Sequence, residues 1–196
     1  MARLDRDGYE VADLVLTAAT CERIAEELPA VEARRGGVRE LIAHPAVQRI
    51  VTDARFRLAL RAVDAEHLTA TRATLFDETA ESNWLVQWHQ DRVVDGADAP
   101  ADVLESMLAV RIHLDASGVD NGPLRVVPRS HNLGKLSAEE IAALVREQGY
   151  VELAVPQGAI LFLRPLLVHS SPRASDASHR RVLHIEFVHR RGAHLS

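Results

Sequence analysis

WLVQWHQD, residues 84–91, is an apolar, strand-like run that ends in a histidine and an aspartate two positions apart. On a β-strand, residues i and i+2 share a face about 7 Å apart, so His89 and Asp91 have the spacing to close on one metal ion. A second pair with the same spacing, His113 and Asp115, ends the run MLAVRIHLD (107–115), and spacing alone does not choose between the two. The choice depends on what the neighbouring runs bring alongside.

From about residue 67 the chain is strand after strand: HLTATRATLFD, NWLVQWH, MLAVRIHLD, LRVVP, YVELAVP, AILFLRPLLVH and RRVLHIEFV, separated by turn residues. Two helical inserts interrupt them, ADVLESM and LSAEEIAALVREQ, the second opening on a Ser137 to Glu140 capping box. Asn121-Gly122 is a strong hairpin signal between two strands. Before residue 67 a short strand, GYEVADLVL, precedes helical spacing. TAATCERIAEELPAVEARR has Thr17 or Thr20 as its cap and Ile24 and Leu28 on one face, and VRELIAHPAVQRIVTDARFRLALRAVD is broken at His44-Pro45. The pattern predicts a mainly β jelly roll or barrel flanked by N-terminal helices. A single domain over 1–196 is expected, with a mainly helical part at 1–66 and a β core at 67–190.

The chain has 196 residues, 47% of them hydrophobic, enough for a sizeable core. A formal charge of −5 gives no electrostatic footprint for nucleic acid or an anionic membrane. Cys21 is the only cysteine, which excludes a disulfide framework and a cysteine-based zinc site and fits a reducing interior. The charged N-terminus lacks a signal-peptide core, and no run approaches the roughly 20 apolar residues of a membrane span, so a cytoplasmic protein is expected.

Irons that activate oxygen are commonly held by two histidines and one carboxylate on one face, leaving positions open for cosubstrate and gas. His89 and Asp91 offer two of the three ligands. The third should be a histidine on a distant strand, and His169, closing the apolar run GAILFLRPLLVHSS, is the natural candidate. A cosubstrate with a carboxylate tail needs a cation aimed into the same barrel. Arg180 and Arg181 open the last strand; one of them points inward, because neighbours on a strand face opposite sides. Ser171, two beyond His169, offers a hydroxyl.

The ordered set WHQD, DNGPLRVVPRSH, RPLLVHSS and HRRVLHIEF resembles the phytanoyl-CoA dioxygenase family of iron(II)- and 2-oxoglutarate-dependent oxygenases, especially its small bacterial members, from about Arg72 to Val188. The resemblance implies a double-stranded β-helix, the jelly roll of cupin-like proteins. It implies that His89, Asp91 and His169 bind Fe(II), and that Arg180, eleven positions after His169, grips the distal carboxylate of 2-oxoglutarate. Gln90, Ser171 and Arg111 match positions lining that cosubstrate pocket. Asp91 stands where related halogenases have a small residue, so the resemblance implies O2-dependent hydroxylation or another oxidation of a small molecule, with release of succinate and CO2. Two departures are plain: a short loop, RVVDGADAPA, after Asp91, and Arg129 in VPRSH, where glycine is usual.

Against that set, His113 and Asp115 read as structural, His113 hydrogen-bonded within the sheet and Asp115 opening the turn to Asn121. His131 reads as structural or supporting, and Trp84 and Trp88 as packing aromatics. Arg125 and Arg164 sit in apolar strands, either in buried ion pairs or greeting an anionic substrate. His179, His184, His189 and His194 read as solvated or supporting. Two other readings of the barrel are a non-catalytic protein that binds a metal or small ligand and a cupin-type metal-dependent isomerase or hydrolase. The sequence leaves oligomeric state open.

Overall fold

The computed structural model describes residues 3–13, 15–31, 37–79, 85–94, 97–174 and 179–189. Helices α1 (Arg3–Asp7), α2 (Ala18–Glu27), α3 (Pro45–Thr52), α4 (Ala54–Ala62), α5 (Ala101–Glu105) and α6 (Ala138–Gln148) accompany eleven strands. The strands are β1 (Tyr9–Ala12), β2 (Leu68–Glu78), β3 (Val86–His89), β4 (Val93–Val94), β5 (Ala97–Asp98), β6 (Leu108–His113), β7 (Leu124–Val126), β8 (Val151–Leu153), β9 (Ile160–Leu163), β10 (His169–Ser171) and β11 (Arg180–His189).

Two antiparallel sheets form the jelly roll, a five-stranded one in the order β1-β9-β6-β11-β2 and a four-stranded one in the order β3-β10-β7-β8. The small β4–β5 ribbon stands apart. Both faces of the larger sheet are covered, which explains near-continuous apolar runs such as that of β9. On its outer face Leu75, Val110, Ile112, Leu183, Ile185 and Phe187 pack in one core with Ile24, Val47, Ile50, Phe56 and Leu60 of the helices. On its inner face Ala109, Leu161 and Leu163 meet Leu124, Val126 and Leu153 of the other sheet.

Local chemistry sets the element ends. Thr17 caps α2, accepting from the backbone N–H of Thr20, and at His44-Pro45 the proline takes the first position of α3 while the His44 ring caps it. Ser137 and Glu140 form the capping box of α6. Two expectations need correction. AILFLRPLLVH is not one strand: it leaves the large sheet after Leu163, turns at residues 164–168 and enters the small sheet at His169, because Pro165 has no N–H to continue a ladder. Asn121-Gly122 is no hairpin tip either, since it joins β6 to β7, which lie in different sheets. Asn121 instead closes its own loop, accepting from Gly118 N–H and donating to the Ala116 carbonyl.

Candidate metal centre

His89 ends β3 and His169 begins β10, and the two are direct partners in the antiparallel register. Asp91 lies just beyond β3, its N–H donating to the Pro165 carbonyl at 2.9 Å. The turn that splits the β9–β10 run is thus what positions the carboxylate. One Asp91 oxygen is 3.5 Å from His89 Nε2 and the other 3.7 Å from His169 Nε2, and one ligand atom from each of the three residues lies within 4.8 Å of the others.

The tautomers are fixed in advance. His89 Nδ1 donates to the Gln87 carbonyl at 2.8 Å and His169 Nδ1 to the Leu167 carbonyl at 2.9 Å, each bond reaching two residues back. Both Nε2 atoms are therefore left facing Asp91, and His169 Nε2 is buried without a hydrogen-bond partner. Burial pushes the His169 imidazole down to about 4, so it is neutral near pH 7. Burial opposes charge on Asp91, but the facing histidines more than offset it and hold the carboxyl well below its usual range. Burial works against a charge on His89, but the adjoining Asp91 more than offsets it and raises the imidazole pKa, so a metal entering there displaces a proton. Two imidazoles and one carboxylate, with an orphaned buried nitrogen among them, form a donor set suited to a divalent first-row metal such as iron(II).

The three residues open into a cavity of about 370 Å³. Its floor is the inner face of β2, β11 and β6, where the register stacks facing rows: Glu78 with Arg180, Phe76 with Val182, Thr74 with His184 and Arg111, and Arg72 with Glu186. Arg180 is the inward arginine. It is 5% exposed, and its Nη2 donates to Ser171 Oγ at 3.2 Å and pairs with Glu78. Arg181 turns outward and is held by Asp115 through paired bonds of 2.7 and 2.8 Å. Arg111 lines the cavity, and its buried Nε has no hydrogen-bond partner among the described residues.

The other singled-out residues take up their places case by case. Gln90 borders the cavity, but its amide donates to the Gly134 and Leu166 carbonyls and accepts from Leu136 N–H, so it ties three loop segments together and has no hydrogen left for a cosubstrate. The Ser171 hydroxyl donates to the Gly122 carbonyl at 2.9 Å, so toward Arg180 it only accepts. His113 is buried with both ring nitrogens unpartnered, not hydrogen-bonded within the sheet as expected, and burial pushes its pKa down to about 3. Arg164 and Arg125 do not reach the cavity: they pair with Asp5 at 2.6 Å and Glu152 at 2.7 Å. His131 bonds the Asp5 carbonyl, and Trp88 packs against Tyr150, while Trp84 and His194 lie outside the described residues.

Sequence reasoning missed Glu78, Thr74, Arg72 and Glu186; of the two readings left open for His184, solvated or supporting, its burial in the cavity wall agrees with the second. The signal was available in the period-2 pattern of β2 and β11, where every second residue from Arg72 to Glu78 and from Arg180 to Glu186 faces inward.

A family model described as phytanoyl-CoA dioxygenase matches residues 37–182. The fold resembles EctD from S. alaskensis, solved with 2-oxoglutarate and 5-hydroxyectoine: the TM-score is 0.77 at 22% identity, covering 95% of this chain and 73% of that one. The same protein with bound Fe gives a TM-score of 0.76 at 21% identity, covering 95% and 74%. AviO1 from Streptomyces viridochromogenes Tue57 gives 0.72 at 25% identity, covering 95% and 91%. No curated protein matches the chain.

Proposed function

Since the chain belongs to the phytanoyl-CoA dioxygenase family of iron(II)- and 2-oxoglutarate-dependent oxygenases, we propose that it oxidises a small molecule at a centre held by His89, Asp91 and His169. One observation carries the assignment: two histidines from strands far apart in sequence meet as register partners, both presenting Nε2 to the same carboxylate. Iron bound there would supply activation of O2, coupled to decarboxylation of 2-oxoglutarate to succinate and CO2, so that a substrate C–H bond is oxidised.

The chain's own groups have separate tasks. His89, Asp91 and His169 leave the rest of the coordination sphere free for ligands entering from the cavity. Arg180 offers its guanidinium to the far carboxylate of the cosubstrate, and Arg111 adds a second cation to the same wall. Gln90 and the 164–167 turn keep Asp91 in register with the histidines, and the apolar residues Leu104, Met107 and Leu108 keep water from the reacting centre.

The substrate shares the cavity with the cosubstrate, and about 370 Å³ suits a small molecule rather than a bulky acyl thioester. Arg72 and Arg39 on the cavity wall favour an anionic one. Among the described residues no helix is long and apolar enough to cross a membrane, which is compatible with a cytoplasmic location.

Titrating anaerobic protein with iron(II) and 2-oxoglutarate should produce a metal-to-ligand charge-transfer band, and air should then release succinate. Arg180→Ala should weaken 2-oxoglutarate binding about 10- to 100-fold, the worth of charge-assisted hydrogen bonds left unmade, while Arg181→Ala leaves binding unchanged. An isomerase or hydrolase on the same barrel would be indifferent to Arg180. Full metal loading with no band and no succinate would refute the oxygenase reading.

A further inference from the structure

In the seat meant for the distal carboxylate, Arg180 already has a carboxylate partner. Glu78, opposite it in the β2–β11 register, is 5% exposed and pairs with Arg180 Nη2. The contact is a single point rather than a fork-to-fork bridge, because Glu78 Oε2 and Arg180 Nε are both buried with no hydrogen-bond partner among the described residues. Ser171, the other neighbour of Arg180, has given its only hydrogen to the Gly122 carbonyl and has none to offer an incoming anion.

Resting on the cosubstrate reading above, we propose that Glu78 is a proton-carrying member of the cosubstrate seat. It holds Arg180 as a carboxylate when 2-oxoglutarate is away. It takes up one proton from solvent when 2-oxoglutarate binds, then donates its O–H to the distal carboxylate.

Two carboxylates confined beside one guanidinium cannot both stay ionised cheaply, and the one that can gain a proton does so. The charged groups that act on Glu78 among the described residues are Arg180 on β11, Arg111 on β6 and, from the opposite face of its own strand, Asp77, with His113 beyond the two arginines. Arg111 does not remove the conflict, since it is drawn more strongly to Asp91 than to Glu78. Burial already raises the Glu78 pKa above its ordinary value, against the pull of Arg180. In its acid form Glu78 supplies the donor that Ser171 withholds, and an O–H to carboxylate bond is among the stronger hydrogen bonds available.

The test is calorimetric titration of the full-length Mn(II)-loaded protein with 2-oxoglutarate, from about pH 6 to about pH 9, in two buffers of different ionisation enthalpy. Wild type should take up close to one proton and lose up to about tenfold in affinity per pH unit on the alkaline side. Glu78→Gln, which keeps the shape and cannot ionise, should lose that proton coupling and bind at least about tenfold tighter than wild type at alkaline pH. Equal or weaker binding by the variant, or no proton uptake by wild type, would overturn the proposal. The wild-type measurement decides alone if the variant does not fold. Binding by neither protein would sink the cosubstrate reading itself, and this proposal with it.

Discussion

His89 and His169, eighty residues apart in the chain, are partners across the antiparallel β3–β10 ladder, with ring centroids 4.2 Å apart. Each ring is held by a carbonyl two residues back on its own segment, so neither depends on the other for orientation. His169→Ala and His89→Ala should each weaken Mn(II) or Fe(II) binding by at least about 100-fold, more than the 10- to 100-fold typical of losing an outer partner. The folds should survive, because each variant leaves the other ring clamped. Metal content after dialysis and a calorimetric titration check this.

Gln90 should behave differently from the ligands beside it. Its three hydrogen bonds tie the segment around Asp91 to residues 134, 136 and 166, so Gln90→Leu strands two carbonyls and an N–H. A loss of about 1–3 kcal/mol in chemical denaturation is expected. Metal affinity should fall, while the binding of 2-oxoglutarate at saturating metal changes little.

His113 makes stability pH-dependent in a defined direction. Its folded pKa of about 3 lies below the ordinary 6.5, so the unfolded chain takes up the proton first. The contribution is complete above pH 6.5 and is lost progressively as pH falls from there toward 3. His113→Leu should flatten the denaturation midpoint over that window. An unchanged acid limb in the variant would show that other groups set it.

Arg129 adopts a left-handed backbone, φ 70°, a conformation that favours glycine. A residue with a Cβ costs about 1–2 kcal/mol there, and the ion pair of Arg129 with Asp7, 3.9 Å long on an exposed side chain, returns little. Arg129→Gly should therefore raise the thermal midpoint without altering metal or cosubstrate binding, as a melting curve with and without Mn(II) would show.

The ligand set was readable because it depends on strand ends and motif order. WHQD and RPLLVHSS close apolar runs, and a polar residue ending such a run needs a partner. The inward turn of Arg180 needed only strand parity once β11 was assigned. What escaped was set by neighbours distant in sequence. Nothing around Glu78 says that Arg180 lies across the ladder from it, and nothing around His184 says that Arg111 and Thr74 flank it. Gln90 stands in the most informative motif of the chain, yet the loops at residues 134 and 166 decide what its amide does. Pro165 did carry a local signal, since an apolar run containing proline is better divided than extended.

The backbone clamp on both imidazoles means that the donor atoms stand ready before any ion arrives, and readiness is not discrimination. A rigid nitrogen and carboxylate pocket follows the general order of divalent affinities, in which copper and zinc outrank iron. What the protein carries in a cell is then decided by supply rather than by the pocket, and material from an ordinary expression culture should come off the column partly loaded with zinc and dormant until stripped and refilled.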